Sequence, residues 1–177
     1  MMLTRLLGIV CLPILSAGLA HAQTAGEGLY LGAAGGGQLA SLDGGPEADG
    51  GTLEGFAGYA FEIGDSAFVA GEVNYTISGA DDNGLDLDDS YGVGALAGYD
   101  VTRNTAVYGR LGYQRGEGET PGGNFDEDGL RYGLGVDMDG PAEYRLRIEV
   151  DRIEYQDVDG GADLDADRLS VGVYRFF

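Results

Sequence analysis

The chain has 177 residues, with 30 acidic side chains against 10 basic ones and a formal net charge of −20 at pH 7. This charge excludes a protein that binds nucleic acid through its phosphates, because such binding needs a basic surface. Glycine is abundant, at 34 residues, but the chain has only 4 prolines and no collagen period, which excludes a collagen-like chain.

Residues 1–22 have the pattern of a secretory signal peptide. A short basic start precedes an apolar run that contains Pro13, and small residues flank His21 just before the expected cleavage site. We expect cleavage after Ala22. The mature chain, residues 23–177, is then predicted to form a single barrel domain.

Cleavage would remove the only cysteine, Cys11, and the only histidine, His21. The mature chain then lacks both a thiol and an imidazole. This excludes disulfides, metal sites built from His or Cys, Ser-His-Asp triads and cysteine nucleophiles. We therefore predict no enzymatic activity and no cofactor.

The mature chain is predicted to be all-β, because its apolar residues repeat with a period of two and not of 3.6. Tight turns and the spacing of the segments indicate four hairpins. The eight predicted strands are residues 29–38, 52–62, 67–78, 90–99, 105–114, 130–138, 143–152 and 169–177.

The two faces of these strands differ in charge. The apolar faces carry only Arg152 and Arg175, both near strand ends, whereas charged residues occupy the opposite faces. A soluble barrel places its apolar face inside, but a transmembrane barrel has a polar interior. The pattern predicts an eight-stranded antiparallel up-and-down transmembrane β-barrel.

The polar faces bring acidic and basic residues together in the predicted interior. Two hypotheses remain open for them: the charges neutralise one another in a barrel filled by side chains, or they line a narrow ion path. The predicted interior charge network consists of Glu72, Arg110, Arg131, Arg147, Glu149, Asp151 and Arg168.

Connection lengths predict the orientation of the barrel. Short turns near residues 63–66, 100–104 and 139–142 are expected to face the periplasm, and the long acidic connections 39–51, 76–89, 115–129 and 156–167 to form extracellular loops. Two aromatic girdles follow from this assignment. Tyr59, Phe61, Tyr99, Tyr144 and Phe177 fall at the inner rim, and Tyr75, Tyr91, Tyr113 and Tyr132 at the outer rim.

Two acidic stretches offer oxygen ligands of the kind that Ca²⁺ prefers. Neither matches the spacing of an EF-hand loop, so a solvated acidic surface remains the alternative. The candidate Ca²⁺ ligands are Asp81, Asp82, Asp86, Asp88, Asp157, Asp159, Asp163 and Asp165.

Three segments carry a family resemblance: 28–33 (GLYLGA), 145–150 (RLRIEV) and 169–177 (LSVGVYRFF). Through these segments, the mature chain resembles the small eight-stranded outer-membrane barrels of the OmpA/OmpX type. The resemblance implies that Phe177 is an assembly signal read by the barrel-assembly machinery. Arg175 departs from the family pattern, which usually has an aromatic residue two positions before the terminal Phe.

We expect a monomer in the bacterial outer membrane, in contact with membrane lipids and lipopolysaccharide, with a structural or surface-interaction role through acidic extracellular loops. The sequence identifies no surface ligand. Two alternatives remain: a small gated ion channel or porin, and a soluble periplasmic barrel that binds lipid. The second requires the apolar faces to point inward.

Overall fold

The computed structural model describes residues 26–42, 47–82, 85–120, 123–158 and 162–177. The predicted signal peptide lies outside this range. Eight antiparallel strands follow one another around a closed barrel in chain order. They are β1 Gly28–Leu42, β2 Glu47–Ile63, β3 Ala67–Asp82, β4 Leu85–Thr102, β5 Thr105–Thr120, β6 Gly123–Asp139, β7 Tyr144–Val158 and β8 Ala162–Phe176, with a 3-10 turn at Pro141–Glu143 before β7.

The barrel has two unlike ends. At one end, which we call the short-turn end, tight turns at 64–66, 103–104 and 140–143 join the strands. At the opposite, extended end, the strand pairs run on to Leu42 and Glu47, to Asp82 and Leu85, and to Thr120 and Gly123. Within the described residues no helix is long and apolar enough to cross a membrane.

The prediction of long loops at the extended end is wrong. Most of the residues assigned to those connections belong to paired strands, which extend well past the limits that the apolar alternation indicates. The physical reason is that a strand beyond the apolar belt needs only backbone hydrogen bonds to its neighbour. With water on both faces, it shows no apolar alternation from which its length could be predicted.

The apolar faces point outward, as predicted. Leu31, Val73 and Leu134 are more than half exposed on the outside, whereas Glu72 and Arg131 are almost fully buried inside. A barrel with this arrangement is suited to a lipid surrounding and a polar interior. The alternative of a soluble barrel with an apolar cavity is therefore wrong.

Aromatic residues mark both ends of the outward apolar belt, as the girdle prediction requires. At the short-turn end Tyr59, Phe61, Tyr99 and Phe177 are exposed, and Tyr144 is half-buried. At the other end of the belt the exposed side chains are Tyr75, Tyr91, Tyr113 and Tyr132.

The last strand is paired without a register shift around Arg175. β8 pairs with both β7 and β1, and Arg175 faces outward at the short-turn end. Its Nη2 donates to Glu143 Oε2 at 2.6 Å, and its guanidinium carbon lies 5.8 Å from the centre of the Phe177 ring. The terminal backbone is also tied down, since Phe177 N donates to Leu29 O at 2.8 Å.

Candidate functional site

The barrel interior contains a continuous network of buried ion pairs. Strand alternation brings all seven of the predicted interior charges to it, and two further carboxylates take part that were not among the seven. All nine side chains are buried. The members are Glu54, Glu72, Arg110, Arg131, Asp137, Arg147, Glu149, Asp151 and Arg168.

The part of the network nearest the short-turn end centres on Glu72. Its Oε2 accepts from Arg147 Nη1 at 2.7 Å, and its Oε1 accepts from Arg110 Nη2 at 2.5 Å. Arg147 also reaches Asp137, with Nε 3.1 Å from Oδ1. Arg110 Nε lies 2.8 Å from Glu149 Oε1, a charge contact that is not aligned as a hydrogen bond. Each charge in this part of the network therefore has an opposite charge beside it.

Arg131 connects this part to the rest of the network. Its three guanidinium nitrogens lie 2.8 Å from Glu149, 2.8 Å from Glu54 and 2.9 Å from Asp151. Arg168 closes the network, with Nη2 3.0 Å from Glu54 Oε2 and 3.1 Å from Asp151 Oδ1. Positive and negative groups thus alternate through the interior, which is the arrangement that makes buried charges tolerable.

Three inward tyrosines, which the sequence analysis did not assign to the site, add hydrogen bonds to the carboxylates. Each phenolic hydroxyl donates to one member of the network: Glu72 Oε2 and Asp137 Oδ2 accept from Arg147 as well, whereas Tyr108 gives Glu149 Oε2 a donor of its own. The pairs are Tyr30 with Glu72 at 2.8 Å, Tyr174 with Asp137 at 2.7 Å, and Tyr108 with Glu149.

Inward glycines make room for the aromatic rings. At each such glycine, a Cβ would overlap a ring carried by the residue directly opposite on the neighbouring strand. The glycines themselves are visible in the sequence and could have pointed to inward aromatic residues. To pair each glycine with its ring, however, one must know the register between the two strands. The pairs are Gly58 with Tyr30, Gly135 with Tyr108, Gly98 with Phe68, and Gly32 with Phe56.

The rings close the short-turn end of the interior around one cation. The Arg147 guanidinium carbon lies within cation–π distance of four of them, at 4.8 Å from Phe56, 4.8 Å from Tyr174, 5.0 Å from Tyr108 and 5.8 Å from Tyr30. Leu96, Phe68 and Phe176 pack beside this cluster. The cavity that remains there holds about 10 Å³, no more than one water molecule needs.

A smaller acidic cluster lies at the mouth of the short-turn end. Arg145 Nε is 3.3 Å from Asp139 Oδ1. Asp100 lies close enough to Arg145 and Asp139 for its charge to interact with both of them. In this cluster one basic residue therefore lies among carboxylates.

The outward surface near the extended end carries polar pairs beside the outer girdle. Tyr132 donates to Glu154 at 2.5 Å, and Tyr75 donates to Asp89. Arg152, one of the two charged residues predicted on the apolar faces, donates from Nη2 to Asp167 Oδ2 at 2.6 Å.

The structure does not describe the side chains of most of the candidate Ca²⁺ ligands. Asp159 lies in an undescribed segment, and the side chains of Asp81, Asp82, Asp86, Asp88, Asp157 and Asp163 are likewise outside. Asp165 is described and lies 3.9 Å from Arg152 Nη1. Among the described residues no group of three acidic, His or Cys side chains is placed to hold a metal ion.

The comparisons with known proteins agree with this architecture. The profile of a family described as "outer membrane protein beta-barrel domain" matches residues 7–177. No curated protein matches the chain significantly.

Two solved barrels share the fold. The crystal structure of Neisserial surface protein A (NspA) has 23% sequence identity and a TM-score of 0.61, and the match covers 85% of this chain and 98% of that one. The crystal structure of Ail, the attachment invasion locus protein of Yersinia pestis, has 19% identity and a TM-score of 0.52, over 84% of this chain and 99% of that one.

Proposed function

The chain belongs to the family of outer membrane protein beta-barrel domains, and on this premise we propose that it is a closed, non-conducting barrel of the bacterial outer membrane that acts at the cell surface through its extended end. In this role the barrel is a rigid membrane anchor, without enzymatic activity. The extended strand pairs present an acidic surface to the outside.

One observation carries the proposal: the interior is filled. The ion-pair network occupies the middle of the barrel, and the aromatic cluster around Arg147 closes the short-turn end. Barrels of eight strands have an interior that side chains can fill completely. Because a filled interior leaves no path for ions, the surface that remains for function is the outside and its extended end.

The orientation follows from the two unlike ends. Short turns face the periplasm in outer-membrane barrels, and the end at which the chain projects further from the membrane faces outward. The extended end then projects beyond the outer girdle with an excess of carboxylates, which favours basic partners over acidic ones. Membrane lipids and lipopolysaccharide would surround the outward apolar belt of a single barrel.

Single-channel recording tests the closed interior. The mature protein is refolded in detergent, shown to be folded by a boiled-versus-unboiled gel shift, and inserted into a planar bilayer. We expect no discrete conductance steps from the natural protein. Steps that grow larger in an Arg110→Ala variant would contradict the closed barrel and support a gated channel.

Cysteine labelling tests the orientation, because the mature chain has no cysteine of its own. Asn83→Cys places a thiol in the connection between β3 and β4, and Ser66→Cys places one in a short turn. We expect a membrane-impermeant maleimide to label Asn83→Cys in intact cells and Ser66→Cys only after permeabilisation. The reverse pattern would overturn the proposed direction of the barrel.

A further inference from the structure

At the extended end the barrel wall opens along two lines. β6 and β7 are paired only as far as Gly129 and Tyr155, although both strands continue further. β2 and β3 likewise stop pairing at Thr52 and Ser78. Beyond these points the strands form two separate sheets, β7-β8-β1-β2 and β3-β4-β5-β6, each still paired within itself. Each sheet therefore has two edges with no paired neighbour among the described residues.

A β-bulge explains why β7 leaves β6. Between Tyr155 and Val158 the register shifts, so that three steps along β7 match two steps along β8. A bulge of this kind bends the strand that carries it. The Tyr155 ring stays over the neighbouring strands, because a Cβ on Gly129 would lie 2.8 Å from its Cδ1 and one on Gly116 would lie 2.8 Å from its hydroxyl oxygen. The ring thus fixes the base of the opening, and β6 continues along β5 alone.

The longest of the four edges is the outer part of β6, residues 123–128, which we call the open edge. These residues are paired with β5 on one side and, among the described residues, with no strand on the other. The other edges are shorter, at residues 156–158 of β7, 47–51 of β2 and 79–82 of β3. In an antiparallel ladder alternate residues turn both backbone groups toward the same neighbour. About half of the open edge therefore presents N–H and C=O groups to the open side.

The open edge lies beyond the membrane boundary. Leu130 of β6 pairs directly with Tyr113 of the outer girdle, and such girdles mark the level of the lipid headgroups. The open edge begins two residues further out, at Asp128. A partner in the surrounding water can therefore reach it without entering the lipid.

The charge around the open edge is negative. Asp128 is exposed at its base, and Glu154 is half-buried on the β7 side of the opening. The sequence adds Asp126 and Glu127 within the edge itself. One basic residue, Arg115, lies opposite Asp128 in the ladder with β5. A partner that approaches the open edge therefore meets more carboxylates than cations.

We propose that the open edge binds an extended, basic segment of a partner protein, which adds to β6 as a further strand. Backbone hydrogen bonds to residues 123–128 provide the pairing, and lysine or arginine side chains of the segment complement the carboxylates. An acidic segment is repelled, and a second copy of this chain brings the same excess of carboxylates to the contact. The charge thereby protects an edge that would otherwise be prone to aggregation. The inference deepens the proposed function, since it rests on the extended end facing outward.

Peptide binding to the mature protein, refolded in detergent, tests the inference by fluorescence anisotropy. The probe is a labelled peptide of alternating lysine and threonine, about eight residues long, within the usual length of a strand. We expect it to bind, and a version with glutamate in place of lysine not to bind. A version methylated at every backbone nitrogen keeps the charges but has no N–H to donate. It should bind more than about tenfold more weakly, because several hydrogen bonds are lost.

Two double variants separate the open edge from general acidity. Asp126→Asn with Glu127→Gln should weaken binding of the basic peptide by about threefold to tenfold, as expected for exposed ion pairs. The matched control, Glu62→Gln with Asp65→Asn, removes two exposed carboxylates at the short-turn end and should leave binding unchanged. Hydrogen exchange should show the bound peptide protecting the amides of residues 123–128 and not those of residues 79–82.

Three results overturn the open-edge site. They are equal binding of the basic and the methylated peptides, protection at residues 79–82 in place of 123–128, and no binding by a barrel that shows the gel shift. Sedimentation of the free protein as a dimer, with residues 123–128 already protected, would assign the edge to a second copy and also overturn it. None of these results touches the proposed function, which fails instead on the reversed labelling pattern of Asn83→Cys and Ser66→Cys.

Discussion

Tyr108 lies directly across from Gly135 on the neighbouring strand, and its ring occupies the space that a Cβ on Gly135 would need. The same tyrosine donates its hydroxyl hydrogen to Glu149 in the ion-pair network. A glycine of β6 thereby determines where a hydrogen bond of the network forms. Similar pairs occur at Gly58 and Gly98.

Gly135→Ala should destabilise the barrel by about 1–3 kcal/mol, the usual cost of overpacking. The added methyl group displaces the Tyr108 ring and weakens its bond to Glu149. Urea unfolding of the refolded protein, followed by the gel shift, measures the loss. The cost should fall in a Tyr108→Leu background, because the two residues are in contact. Gly71→Ala is the control, and an equal loss there would contradict the explanation.

Arg147→Ala should cost about 3–5 kcal/mol, because it leaves Glu72 and Asp137 buried with one fewer cation. The cation–π contacts to the surrounding rings are lost as well. The matched variant Arg103→Ala removes the same charge from an exposed turn and should change stability by no more than about 0.5 kcal/mol. Equal unfolding midpoints for the two variants would show that the network does not contribute as argued.

Ala142→Gly should stabilise the protein by about 1 kcal/mol. Ala142 has φ of 57° and ψ of 41° in the turn before β7, a left-handed conformation in which a Cβ is unfavourable. The opposite sign is expected for Ala33→Gly, in an extended strand, where glycine costs about 0.5–1 kcal/mol. Denaturant midpoints of the two variants give the comparison, and a loss of stability in both would refute the prediction.

Phe177→Ala should affect assembly more than stability. Phe177 and Phe61 both face outward at the same rim, 59% and 53% exposed, so truncating either ring should change the stability of the refolded protein to a similar extent. If Phe177 is the assembly signal, less protein should reach the outer membrane in cells, as measured by the heat-modifiable band in the membrane fraction. Phe61→Ala, at the same rim, is the control and should assemble normally.

The period-two pattern was sufficient to predict the number and order of the strands, and the confinement of charges to one face predicted the direction of the faces. Charges such as Arg131 and Glu149 could be placed inside from strand parity together with this difference in charge. Sequence could not supply the inward pairing of Tyr108 with Gly135, because that contact depends on the register between two strands. Nor could it give the full length of β4 or β6, whose outer parts lack an apolar face.

The join between β1 and β8 determines how the barrel must form. It pairs Tyr30 with Phe176 at one end and Leu42 with Leu164 at the other, so residues from opposite ends of the chain have to meet along the whole height of the wall. Contacts of such long sequence separation are slow to form, because the entropy of closing the intervening chain is lost before they stabilise the fold. Until this join closes, both outermost strands have unpaired backbone edges, which are prone to pair with other chains. Closure of the ring is therefore the step at which a folding intermediate stops being vulnerable to aggregation.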